Sequence, residues 1–207
     1  MPNTTNYSFP TPADTDLVKN GADAIRDLGD AVDTAMNTAL GTKKSGLVLL
    51  NTTSFSGVAS QSVNDVFSAT YDNYKILLNN FTGSTGTTVN MRLRVSGADA
   101  SGTNYNRELL SCSNTTVSAV RSTGLNSFEA ISRMQGSTPI MTDIHLVNPF
   151  IASETTAKIQ DTEGQVGTNI NLLLATFNHT LATSYTGFTL LSGGNMTGSV
   201  SVYGYNK

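Results

Sequence analysis

Two histidines, one cysteine and a thin scatter of carboxylates are the residues of this chain that could do chemistry. A zinc site draws on His, Cys or acidic ligands grouped at short spacing. Here His145, His179 and Cys112 each stand alone, which reads as strand or surface residues rather than ligands. No Gly-x-Ser-x-Gly elbow, His-Glu-x-x-His helix or phosphate-binding loop is present. Glycoside hydrolysis needs two carboxylates facing each other across a cleft. The acids beyond the first forty residues, such as Asp72, Glu108, Asp143 and Glu154, are dispersed. The sequence therefore predicts no enzyme, no metal and no other cofactor.

Sugar recognition is the chemistry these residue types favour. A flat Tyr ring can pack on a sugar face while Asn and Arg hydrogen-bond hydroxyls. The longest polar loop runs from Gly97 to Arg107 and ends Asn104-Tyr105-Asn106-Arg107. It offers Tyr105 as a stacking platform, with Asn104 and Arg107 as hydrogen-bonding partners for a host-surface glycan. The same residues also fit a solvated loop whose Tyr covers the edge of a core.

The remainder of the composition narrows the function further. The chain has 207 residues, 38% of them hydrophobic and only 13% charged, with a net charge of -3. Ser, Thr and Asn are abundant. Disordered chains combine high net charge with few β-branched residues, and this chain does neither; it fits a β-rich protein with neutral polar outer faces. Basic residues are scattered, with no run longer than Lys43-Lys44, so a nucleic-acid surface is not expected. No apolar stretch is long enough to insert in a bilayer, and the N-terminus lacks a basic-then-apolar leader pattern. The lone Cys112 leaves no intramolecular disulfide, which fits folding in a reducing cytoplasm. Seven Asn-x-Ser/Thr sequons occur, a number that the abundance of these residues accounts for.

Three segments emerge from the pattern along the chain. Residues 1–11 carry Tyr7, Phe9 and Pro10 among small polar residues. Prolines bias their predecessors toward extended backbone, so this reads as an extended arm whose aromatics dock into another protein. Residues 12–41 read as a helix of about 42 Å. Thr11 is a suitable N-cap, Pro12 suits the first turn, Asp14 and Asp16 favour the positive end, and Gly41 with Lys43 and Lys44 closes it. Its apolar residues, Val18, Gly21, Ile25, Leu28, Val32, Ala35 and Ala39, alternate steps of three and four. That two-per-heptad seam is narrower than the stripe of a helix lying on a sheet, and it predicts pairing with like helices. Gly21 and Gly29 each cost about 1 kcal/mol against Ala. The helix should therefore rely on the following domain to hold the copies together.

From residue 46 to 207 the period changes to two. Val89, Met91, Leu93 and Val95 alternate with Asn90, Arg92 and Arg94; Ile170, Leu172 and Leu174 share one strand face; Val200 and Val202 alternate with polar neighbours. Further strands are expected near 47–50, 63–70, 74–81, 105–112, 127–133, 140–147, 156–160 and 186–191. Glycines at 83–86, 97–102, 164–167 and 193–194 are expected turns. The predicted fold is mainly β: an N-terminal coiled-coil-like helix, then an antiparallel β-sandwich, with a jelly roll as its expected form.

Two stretches carry a resemblance. NYSFPTPADTDLVKNGADAIRDLG, residues 6–29, resembles the N-terminal segment of small structural proteins of tailed bacteriophages. GFTLLSGGNMTGSVSVYGY, residues 187–205, resembles the terminal strands of phage fibre and tail proteins. The resemblance implies a homotrimeric virion fibre protein, assembled in the host bacterial cytoplasm. Its N-terminal region, through Tyr7, Phe9 and Pro10, would attach to other virion proteins of the tail, baseplate or capsid. Its β domain would be a knob for host attachment. The alternative is a capsid decoration or head-fibre protein that stabilises or covers the shell.

Overall fold

A computed structural model describes residues 3–5, 7–11, 17–40, 46–113, 115–164 and 170–207. The chain divides into two units, Met1–Gly46 and Leu47–Lys207.

In the first unit the arm is not extended. Ser8 takes a left-handed φ of 54°, and the backbone folds back so that Asn3 bridges Pro10. Thr4 N–H donates to the Phe9 carbonyl at 2.9 Å, and the Thr4 hydroxyl accepts from Phe9 N–H at 3.0 Å. Local side-chain bonding of this kind competes with extended backbone, and here it outweighs the proline bias. Leu17 is extended, one turn of 3-10 helix covers Val18–Asn20, and the helix α1 runs Gly21–Leu40. Among the described residues helical backbone begins at Val18; the expected start at Pro12 lies outside them. The expected caps at Pro12, Asp14, Asp16, Gly41, Lys43 and Lys44 lie outside the described residues. An Asp23–Arg26 ion pair one turn apart braces the exposed side of α1.

The second unit is an antiparallel sheet. Among the described residues its strands are β1 (Leu47–Val63), β2 (Asn73–Val95), β3 (Ala98–Asp99), β4 (Tyr105–Ser113), β5 (Thr116–Leu125), β6 (Phe128–Val147), β7 (Thr155–Gly164), β8 (Ile170–His179) and β9 (Gly187–Tyr205). Their order is β1-β9-β2-β6-β7-β8-β4-β5, with β3 added beside β2. The expected 63–70 strand is absent, since β1 ends at Val63. Several expected strands prove to be halves of longer ones: 74–81 joins 89–95 in β2, 127–133 joins 140–147 in β6, and 186–191 joins 199–203 in β9. The glycines at 83–86 and 193–194 are therefore bends within strands, not chain reversals. At Gly83 a Cβ would stand 2.2 Å from the Asn195 carbonyl and 2.3 Å from Met134 Sδ, so only glycine allows β2 and β9 to approach this closely.

The bulges also switch which residues face inward. Tyr74, Ile76 and Leu78 are buried on even positions of β2, whereas Phe81, Val89, Met91 and Leu93 are buried on odd ones. The register shift between Leu78 and Phe81, with Asn80 at φ 47°, supplies the change of parity. In β8 the core face is the odd one, Leu173, Ala175 and Phe177; Leu172 is exposed and Leu174 half-buried on the other.

Aromatic packing shows how the sheet curls. Phe128 of β6 meets Tyr105 of β4 at 4.9 Å and Phe177 of β8 at 5.3 Å between ring centres. β4 and β6 are separated by two strands in the sheet order, so their inner faces meet only if the sheet closes over itself. Phe55, Phe67, Tyr74, Phe81 and Phe188 fill the same core toward β1 and β9.

Candidate functional site

The expected glycan residues sit at the start of β4. Tyr105 is its first residue, and its side chain turns inward and is fully buried. Its hydroxyl accepts from Leu93 N–H at 3.1 Å and donates to the Ala100 carbonyl at 2.7 Å. Burial pushes this hydroxyl's pKa well above the usual tyrosine range. Tyr105 pins the curled sheet together, so it presents no ring face to a sugar. Arg107 is likewise engaged, donating to the Glu129 carbonyl at 3.0 Å and to the Ser122 hydroxyl at 3.1 Å. The Asn104 carbonyl accepts from Thr180 N–H. The stretch from 97 is not a free loop, because β3 pairs back onto β2 and Arg94 holds both Asp99 and the Gly97 carbonyl. The glycan platform expected at Asn104, Tyr105 and Arg107 is thus replaced by a structural brace.

His179 belongs to the same brace. It is buried between Tyr105 and Tyr185, with Nδ1 3.2 Å from the Tyr185 hydroxyl. Burial pulls its pKa below the ordinary histidine value.

A concave surface does exist, on the opposite face of the sheet. Strand pairing lines up Tyr203, Lys75, His145, Lys158, Thr176, Glu108 and Arg121 in one row across β9, β2, β6, β7, β8, β4 and β5. Because side chains alternate along a strand, these residues share the outer face. One neighbouring row runs Val147, Thr156, Asn178, Asn106; the other runs Asp143, Gln160, Leu174, Leu110, Ala119. From β6 to β5 the curvature makes an open groove of about 980 Å³.

Its charges are mostly paired. Lys75 Nζ lies 2.8 Å from Asp143 Oδ2, and this hydrogen bond holds the lysine above its ordinary pKa. His145 Nε2 is 3.3 Å from Asp143 Oδ1, and its Nδ1 is 2.8 Å from the Tyr205 hydroxyl. Arg121 faces Glu108 at 4.0 Å, both exposed. Asn106 Nδ2 donates to Asn178 Oδ1 at 2.9 Å, and Asn178 Nδ2 to Glu154 at 3.3 Å, which fixes both amides at the rim.

Of the dispersed acids, Glu108 and Asp143 line this groove from β4 and β6, with two strands between them, whereas Asp72 pairs with Lys207. No group of three or more His, Cys, Asp or Glu side chains that could hold a metal occurs among the described residues. Within its own strand each of Lys75, Lys158 and Thr176 is one polar residue among several, with nothing in its neighbours to mark it. Only the strand register brings them together.

The expected anchor and seam lie in the first unit. Tyr7 and Phe9 stack with ring centres 5.6 Å apart, and Tyr7 is 73% exposed. Along the helix Val18 is 97% and Ile25 69% exposed, while Leu28, Val32 and Ala35 are half-buried. No helix among the described residues is long and apolar enough to cross a membrane. Neither a protein-family model nor a curated protein matches this chain.

Proposed function

We propose that this chain is a structural virion fibre protein of a tailed phage. The observation that carries the reading is the division into two dissimilar units. One is a helix whose apolar residues Val18 and Ile25 stand exposed beside a small aromatic loop. The other is a self-contained curled β unit with a continuous core. Exposed branched residues at heptad spacing favour association with like helices. The resemblance at both ends of the chain favours three copies, a coiled-coil stalk and a virion location. In this reading the Tyr7–Phe9 loop attaches to other virion proteins, and the β unit, a sandwich of jelly-roll form, is the host-facing knob. No catalytic step is assigned to it.

The test combines mass with incorporation. Light scattering of the full chain at micromolar concentration should give about three times the 21.8 kDa chain mass. Changing Tyr7 and Phe9 together to Ser should leave that mass unchanged and abolish incorporation into particles, since their burial in a partner supplies only a few kcal/mol. A monomer, or normal incorporation of the variant, overturns the reading. Labelled protein on the head rather than the tail would assign it to capsid decoration.

A further inference from the structure

We propose that the outer-face groove of β6, β7, β8, β4 and β5 binds an acidic saccharide, with a sugar carboxylate seated on Lys158. The proposal rests on the host-facing role of the β unit and gives that role a site and a ligand class.

Charge complementarity commits the groove to this occupant. Lys75 is neutralised by Asp143, and Arg121 faces Glu108. Lys158 has no ion-pair partner among the described residues, although it is exposed at the middle of the row between His145 and Thr176. One uncommitted ammonium suits a singly charged carboxylate. A phosphomonoester, with nearly twice the charge, and a phosphodiester, with its charge spread over a tetrahedral group, are both better held by several free cations or an arginine fork. Here the Arg107 fork is already bonded to Glu129 and Ser122.

A buried acceptor points to hydroxyls as the other partner. Asp143 Oδ1 is shielded from solvent and receives no hydrogen bond, despite its proximity to His145. Buried acceptors are nearly always satisfied, and this one lies at the groove. A ligand hydroxyl would donate to it. The amides of Asn106 and Asn178, fixed by their mutual bond and by Glu154, offer further polar contacts at the rim. Leu110, Leu174 and Ala119 make an apolar margin on the opposite side, suited to the C–H face of a sugar ring. Five strands at about 4.8 Å spacing span about 19 Å, which suits an oligosaccharide rather than one ring.

The full-length protein is titrated, by chemical-shift mapping, with oligogalacturonate and oligosialate. Maltotetraose serves as the neutral arm and a glycerol-phosphate oligomer as the phosphate arm. At least one carboxylate oligomer should bind, at least about tenfold more tightly than maltotetraose, and shift Lys158, Thr176 and Asn178; tenfold is about 1.4 kcal/mol. Lys158→Glu should abolish the binding and Lys158→Met should weaken it about tenfold, both with unchanged melting temperature. Preference for maltotetraose or the phosphate oligomer, no binding in any arm, or insensitivity to both variants overturns the proposal. The two readings fail separately. If the groove assignment is wrong, Lys158→Glu protein still trimerises, enters particles and adsorbs to host cells. If the virion reading is wrong, the saccharide binding and its dependence on Lys158 persist in a protein that enters no particle.

Discussion

The molecule contains two histidine–tyrosine pairs, one on each face of the same sheet, and their surroundings make them different objects. His179 and Tyr185 meet at 3.2 Å inside the core, under Tyr105 and Phe128. His145 and Tyr205 meet at 2.8 Å on the outer face, beside Asp143 and Lys75. Burial of the inner pair lowers the histidine's pKa against the opposing pull of a backbone hydrogen bond at Leu181, and its ring contacts contribute to stability. The outer pair is wet and flanked by ions, so its geometry bears on recognition more than on folding. The same two residue types therefore support opposite roles, and burial decides which.

The largest test of this contrast is Tyr105→Ala. Removing the ring leaves a core cavity beside Phe128 and deprives Leu93 N–H and the Ala100 carbonyl of a partner. A loss of about 3–5 kcal/mol is expected in denaturant unfolding. Tyr205→Ala, on the outer face, should cost far less, and equal costs would erase the distinction.

Next in size is a pH effect. The folded value of His179 lies below the unfolded one, which is about 6.5. Between the two values the unfolded chain holds the extra proton, so the stability linked to this group is complete above about pH 6.5. It declines as pH falls toward the folded value, by at most about 1.4 kcal/mol per pH unit. His179→Gln should flatten that part of the stability profile, and an unchanged slope would mean that His179 is not held neutral by burial. Smallest is Lys75→Met. The Lys75–Asp143 pair is partly screened, so its loss should cost no more than about 1 kcal/mol. The lysine's folded value is raised, so its contribution is complete below about pH 10.4 and disappears as pH rises through the folded value. A cost above about 2 kcal/mol would show that the outer face also carries the fold.

What was legible in the sequence was local. Alternation at Val89, Met91, Leu93 and Val95 placed a half-buried strand correctly, and three of its four apolar residues are core. Heptad spacing located the helix, although Leu17 is extended inside the span 12–41 expected to be helical. β5 went unread because nearly all of it is exposed at a sheet edge, so no face needed to be apolar. Tyr105, at the start of the expected 105–112 strand, fits either a glycan platform or the edge of a core from its neighbours alone; contacts with Leu93 and Ala100 turn it inward. The groove was beyond reach: Lys75, His145 and Lys158 are separated in the chain and become neighbours only through the antiparallel registers of β2 with β6 and of β6 with β7.

The position of β9 has a consequence in time. It lies between β1 and β2, pairing Tyr205 with Leu47 on one side and Gly204 with Tyr74 on the other. During translation, β1 and β2 leave the ribosome long before the strand that joins them has been made. β1 must wait with no strand partner, and β2, paired only toward β6 and β3, with one edge open, a condition that favours slow folding and aggregation. Completion of the β unit is thus tied to the emergence of residues 187–205. A chain cut short before them would lose the strand that joins β1 to the rest of the sheet.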